Sequence, residues 1–137
     1  MHELSGCISF LLSRAAKEAS RVMRAYLAPL GVTPTQYAVL RVLYEQEAPT
    51  GAEVSATLRM DSATLTGVLD RLDQAGLLER RPDPGDRRVN RLYLTRAGRA
   101  RMPELDAAVD AANDFINGLV GRGAGVLRQG LGRLAGD

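Results

Sequence analysis

Eight arginines fall between Glu79 and Arg101 against three acids, Glu79, Asp83 and Asp86, and this local charge of +5 exceeds the +2 of the whole chain. Guanidinium groups meet phosphate oxygens through paired N–H donors, so a basic cluster on a near-neutral chain is the electrostatic footprint of a phosphate-bearing partner. The competing reading is a solvated hairpin in a chain that uses seventeen arginines and a single lysine, Lys17. A second group has different chemistry. Ser62, Ala63, Thr64, Thr66 and Gly67 are small or hydroxyl-bearing and stand within six residues of one another, the residue types that let a backbone come close to base edges. The plainer alternative is a surface helix that Gly67 weakens by ~1 kcal/mol relative to Ala. The residues that most enzymes need are scarce. There is one cysteine, Cys7, and one histidine, His2, at a terminus expected to fray, so an intrachain disulfide is impossible and a metal site is not expected. With no phosphate-cradling glycine loop and no histidine placed as a base, the expectation is a protein that is not an enzyme and uses no cofactor.

The elements that must position these groups can be read from spacing. From Leu4 to Leu30, apolar residues recur three and four apart (Leu4, Ile8, Leu11, Ala15, Ala19, Val22, Tyr26) as one stripe of a long helix. Such a helix outruns a small core and suggests a partner helix from a second subunit. Pro29 and Gly31 end it. Thr33-Pro34-Thr35-Gln36 has the form of a capping box with Pro at the first helical position, opening a helix whose expected inward face is Tyr37, Leu40, Leu43 and Tyr44. Thr50 to Glu53 repeats the box and opens a short helix ending near Arg59 and Met60. Asp61 then caps another, with Leu65, Val68, Leu69 and Leu72 inward and Ala63, Gly67, Asp70 and Gln74 outward. Two helices joined by a few residues, the second with a small polar outer face, form a helix-turn-helix reader.

Gly76 ends that helix. Leu77 to Arg81 and Val89 to Thr95 then read as strands of a hairpin around a seven-residue loop, Pro82 to Arg88, whose tip carries Arg87 and Arg88. A basic hairpin beside a reader is a wing, placed for the neighbouring backbone or minor groove. Thr95 caps a last long helix with Leu105, Val109, Ala112, Ile116 and Leu119 as its stripe; Pro103 is expected to kink it or delay its start. Beyond Asn117 the chain holds seven of its fourteen glycines, yet Leu127, Leu131 and Leu134 keep helical spacing.

This order of elements, with the stretches GVTPTQYAVLRVL, DSATLTGVLDRLDQAGLLERR and the wing tip Asp86-Arg87-Arg88 followed by Leu94-Thr95, resembles the MarR family of winged helix-turn-helix transcription regulators. The fold expected is mainly α with a small β-hairpin wing, one domain over residues 1–137. In it, residues 34–95 form the DNA-binding region, and 1–30 and 96–137 form dimerisation helices. The resemblance implies a homodimer on a pseudo-palindromic duplex, with half-sites ~10 base pairs apart centre to centre. It places Ser62, Ala63, Thr64, Thr66 and Gly67 toward the groove, Arg71 on a phosphate, and Arg88 beside Arg87 in the minor groove, with Asp86 orienting Arg88 by an ion pair.

Members of this family commonly release DNA when a small aromatic or phenolic compound binds or when a cysteine is oxidised. Arg14, Tyr37 and Arg41 are the candidates for an effector pocket. Cys7 lies near the position of the reactive cysteine in the hydroperoxide-sensing branch, while its place on the apolar stripe beside Ile8 favours a buried, inert thiol. A winged-helix module for protein contacts or double-stranded RNA is the remaining rival; four Tyr, two Phe and no Trp leave little for stacking on single-stranded bases. No apolar run reaches the ~18 residues of a membrane span and the N-terminus lacks a signal-peptide pattern, so the expected location is the cytoplasm, away from membranes.

Overall fold

The computed structural model describes residues 3–137; His2 lies outside the described residues. Helix α1 (Ile8–Leu27) is followed by α2 (Pro34–Glu45), α3 (Gly51–Leu58), α4 (Ser62–Gln74), strands β1 (Leu78–Pro82) and β2 (Asn90–Leu94), and helices α5 (Arg96–Val120) and α6 (Ala124–Ala135). Single 3-10 turns occupy Leu4–Gly6, Ala28–Leu30 and Gly121–Gly123. The fold is mostly helical with a two-stranded antiparallel hairpin, as the sequence suggests.

Helix starts follow the capping chemistry. The Thr33 hydroxyl accepts from the Gln36 N–H while the Gln36 side chain accepts from the Thr33 N–H, and Thr50 and Glu53 make the same reciprocal pair. Each box satisfies N–H groups that the first turn leaves without a helical partner. Thr95 Oγ1 accepts from the Gly98 N–H at 3.0 Å and opens α5.

The chain packs as two compact units: Leu27–Asp106, and the chain up to Tyr26 together with Ala107–Asp137. In the first, Leu27, Leu40, Val39, Val54, Leu72, Leu78, Leu92, Met102 and Leu105 are buried almost completely, each large side chain contributing ~1.5 to 3 kcal/mol by leaving water. The inward face of α4 is Leu65, Leu69 and Leu72. β1 pairs with β2 from Leu78↔Leu94 to Pro82↔Asn90. Thr50 adds a bridge to Arg91, and the Leu92 N–H donates to the Pro49 carbonyl at 2.9 Å, so the hairpin is tied to the start of α3.

Several expectations need correction. The continuous helix over Leu4 to Leu30 is broken at both ends: Cys7 takes an extended backbone after the first turn, and Pro29, which has no N–H to donate, and Gly31 at φ 69° close the other end. On α2, Tyr44 is exposed, while Val39 and Val42 join Leu40 and Leu43 in the core. The Tyr44 ring instead lies beside the guanidinium groups of Arg41 and Arg99, at 5.3 and 5.0 Å. Pro82 belongs to β1, so the seven-residue loop is 83–89 rather than Pro82 to Arg88; pairing with Asn90 at the open end of an edge strand asks no N–H of Pro82. Pro103 does not delay α5, which begins at Arg96 and passes through it. The glycine-rich tail forms α6.

The second unit buries less. Val22 and Ala112 are its buried apolar residues. Of the twelve large apolar side chains that stand exposed among the described residues, eleven belong to it, including Ile8, Leu11, Phe115, Leu119, Leu127 and Leu131. Among the described residues no helix is long and apolar enough to cross a membrane.

Candidate nucleic-acid interface

The outer face of α4 is held by its own cap. The Asp61 carboxylate accepts from the Thr64 N–H at 2.8 Å and from the Thr64 hydroxyl at 2.7 Å. These bonds hold the Asp61 carboxyl below its ordinary value of 3.8, the backbone N–H of Thr64 contributing most. One turn on, the Thr66 hydroxyl donates to the Ser62 carbonyl at 2.8 Å. Ser62, Ala63, Thr64, Thr66, Gly67 and Arg71 are all exposed. A Cβ built on Gly67 would meet nothing within 4 Å, so this side of the helix is open.

The wing sorts its arginines into two sets. Arg80 pairs with Asp70 at 2.7 Å and Asp73 at 3.4 Å, both on α4. Arg81 pairs with Glu79 and lies 4.3 Å from the centre of the Tyr93 ring. Arg91 reaches Asp83 at 2.8 Å, the Ala48 carbonyl at 3.2 Å and Glu53 at 3.7 Å. Arg101 holds Glu104 and the Leu30 carbonyl. These four have intramolecular partners, although the Arg81 side chain stays 58% exposed. Arg87 and Arg88 stand on the loop, and the Arg88 side chain is 95% exposed. Among the described residues, Arg71 and Arg87 make no side-chain hydrogen bond or ion pair.

The loop that presents Arg87 and Arg88 is built by two carboxylates. Asp83 accepts from the Gly85 N–H at 2.7 Å and from Arg91, contacts that hold its carboxyl below 3.8, the Gly85 N–H first. Asp86 accepts from the Arg88 backbone N–H at 3.0 Å, while its contact with the Arg88 guanidinium is 3.8 Å. Asp86 therefore shapes the turn more than it grips the side chain. Between α3, α4 and the wing runs an open groove of about 670 Å³, lined among others by Gly51, Thr66, Asp70, Arg80, Arg88 and Asn90.

The candidate effector residues divide. Tyr37 and Arg41 converge on Asp106, the phenol donating to one oxygen at 2.8 Å and the guanidinium to the other at 3.0 Å. Arg41 also binds Glu45 at 2.7 Å. Arg14 belongs to the other unit, 5.8 Å from the centre of the Phe10 ring. Cys7 is exposed, against the expectation of a buried thiol: it precedes α1, and the adjoining stripe residues Ile8 and Leu11 are exposed as well. No group of three or more potential ligating side chains gathers among the described residues. As partners of the arginines, Asp70, Asp73, Asp83 and Asp106 are not singled out by the sequence, and Glu53 is read there only as the capping partner of Thr50; of the four, Asp83, ahead of Pro84-Gly85, carries a local signal, that of a side chain capping a turn.

A family model described as MarR family matches residues 32–89. The HTH-type transcriptional regulator TtmR of Methylorubrum extorquens (strain PA1) is 34% identical over 118 residues, covering 86% of this chain and 58% of that protein. The chain spans 58% and 65% of the lengths of the first two curated relatives it matches. Among solved structures, a MarR-family transcriptional regulator from Rhodococcus sp. RHA1 superposes with TM-score 0.89 at 31% identity, covering 98% of this chain and 96% of that one. The transcriptional repressor CouR bound to a 23-mer DNA duplex gives TM-score 0.92 at 31% identity, with the same coverage. CouR, from Rhodococcus jostii RHA1, is also known bound to p-coumaroyl-CoA, a form that gives TM-score 0.81 at 32% identity over 98% of this chain and 96% of that one.

Proposed function

The chain belongs to the MarR family of winged-helix transcriptional regulators, and on that premise we propose that it acts as a homodimeric repressor that grips a pseudo-palindromic duplex and releases it when a small organic effector binds. The observation that carries this reading is the division of the surface. One unit offers an open, hydroxyl-rich face on α4 and the exposed wing arginines; the other holds eleven of the twelve exposed large apolar side chains among the described residues. Charge and hydroxyls suit a phosphate backbone and base edges. Exposed apolar helix faces suit a second copy of the same chain.

In this reading α4 enters the major groove with Ser62, Ala63, Thr64, Thr66 and Gly67 toward the bases, and Arg71 meets a phosphate. Arg88, beside Arg87 on the loop shaped by Asp86, enters the adjacent minor groove. The likeness to CouR, seen with DNA and with p-coumaroyl-CoA, supports a repressor that answers to a small molecule. Arg41 and Tyr37 are the groups proposed to meet a polar effector, by exchanging Asp106 for it, with Arg14 as a further candidate. The relatives are regulators, which supports a role without turnover, and a regulator of transcription works where the chromosome is, in the cytoplasm of a bacterium.

Fluorescence anisotropy with a labelled duplex from upstream of its own gene and a shuffled control, at several salt concentrations, tests the reading. Preferential binding to the native duplex, falling steeply with salt as phosphate contacts release counterions, is expected. Binding to neither duplex at low salt would overturn it in favour of a protein-contact module.

A further inference from the structure

We propose that Thr64 and Thr66 read base edges as hydrogen-bond acceptors and methyl groups only, because each hydroxyl proton is already committed within α4. The inference rests on the placement of α4 in the major groove. Thr64 donates its hydroxyl to the Asp61 carboxylate at 2.7 Å, and Thr66 donates to the Ser62 carbonyl at 2.8 Å. A hydroxyl has one proton and two lone pairs. With the proton spent, what remains on the outer side of each threonine is a lone pair and a methyl group.

The two commitments differ in kind. The Thr64 bond is charge-assisted, shorter and stronger than a neutral one, and Asp61 is kept ionised by the same pair of contacts. The Thr66 bond runs to a main-chain oxygen fixed by the helix, so its geometry does not depend on a second side chain. In the major groove the amino groups of adenine and cytosine are donors, thymine adds a methyl, and purine N7, guanine O6 and thymine O4 are acceptors. Thr64 and Thr66 therefore match the amino groups and the thymine methyl, and offer nothing to N7 or O6. Ser62, whose hydroxyl has no side-chain partner among the described residues, keeps both capacities. Asp61 acts as a positioning residue: it never needs to touch DNA to decide which way the Thr64 proton points.

Selection from a random duplex library with the full chain gives the preferred site, and Thr64→Val and Thr66→Val identify the positions each residue governs. At those positions, replacing thymine by deoxyuridine or removing the adenine amino group should weaken wild-type binding about fivefold or more. The loss on removing the amino group should shrink in the matching Val variant, which lacks the hydroxyl acceptor, while the deoxyuridine loss should persist there, because valine keeps the methyl. Replacing a purine by its 7-deaza analogue, which deletes the N7 acceptor, should change affinity less than about twofold. Thr→Ser variants, which keep the acceptor and drop the methyl, should lose only the thymine discrimination. Asp61→Asn adds a readout that simple loss of structure would not give. An asparagine can still accept from the Thr64 N–H, but its amide nitrogen donates to the Thr64 oxygen and frees that proton, so the 7-deaza analogue should now cost affinity at the Thr64 position alone.

A large 7-deaza penalty in the wild type, abolished by Thr→Val, would show that the threonines donate and would overturn the proposal. A library that enriches no site, or Val variants that lose affinity equally for every sequence, would instead overturn the placement of α4, and the inference with it.

Discussion

Arg88 and Arg91 stand three residues apart and do opposite work. Arg88 projects from the loop into solvent, whereas Arg91 is neutralised by Asp83 and Glu53 and anchors the hairpin to the Ala48 carbonyl. Arg88→Ala should weaken binding to specific and unrelated duplexes alike and lower the slope of log affinity against log salt by about 2, one phosphate-neutralising charge from each of the two chains. Arg91→Met should leave that slope near the wild-type value while lowering the melting temperature, since it removes an internal clamp and leaves Asp83 with the Gly85 N–H but without its charged partner. Equal slopes in wild type and Arg88→Ala would refute the wing assignment. The tip was legible in the sequence because Asp83-Pro84-Gly85-Asp86 is turn chemistry and places Arg87 and Arg88 at its end. The clamps were not. Arg80 finds Asp70 ten residues back and Arg91 finds Ala48 forty-three residues back, and a charge count has no term for partners that only the fold brings together.

Elements meet most tightly where α5 leaves the wing. A Cβ on Gly98 would lie 2.0 Å from the Leu77 carbonyl oxygen, and the Thr95 hydroxyl donates to the Gly76 carbonyl at 2.6 Å. Because the obstacle is backbone, it cannot swing aside as a flexible side chain would. Gly98→Ala should cost at least the ~1 to 3 kcal/mol typical of overpacking, read as a fall in thermal midpoint; an unchanged midpoint would contradict the close approach. The caps carry a pH prediction. Asp61 and Asp83 are held below 3.8, so their stabilising contribution is complete above that value and is lost as pH falls through their lowered ones. The Thr64 and Gly85 amide resonances should stay constant from neutral pH to about 4 and move only below it; a midpoint above ~4 would contradict the contacts. Element boundaries were legible wherever a cap or a glycine marks them, as at Thr33, Thr50, Asp61 and Gly76. Faces were less so. Tyr44 shares the helical spacing of Leu40 but not its burial, since Val39 and Val42 fill the core and two arginines hold the ring outside.

At the scale of the molecule, the stripes on α1, α5 and α6 read from the sequence are real in spacing and only partly covered in the single chain: Val22, Leu105 and Ala112 are buried, whereas Ile8 is 70% exposed and Leu119 64%. Periodicity shows that a face is apolar and is silent about what covers it. If a second copy covers these stripes, as the homodimer proposal requires, replacing Leu119 and Leu131 together by Glu should shift the protein from dimer to monomer in size-exclusion chromatography while the helical content of Leu27–Asp106 survives. A dimer that persists would place the interface elsewhere. Whether two chains grip one duplex is read from sedimentation velocity of a fluorescently labelled duplex carrying the preferred site, with increasing protein. The prediction is one saturating species of two chains on one duplex, with the Arg88→Ala protein forming the same species only at higher concentration. A duplex that still sediments as free DNA where the protein is fully dimeric, or that saturates with a single chain, would contradict it.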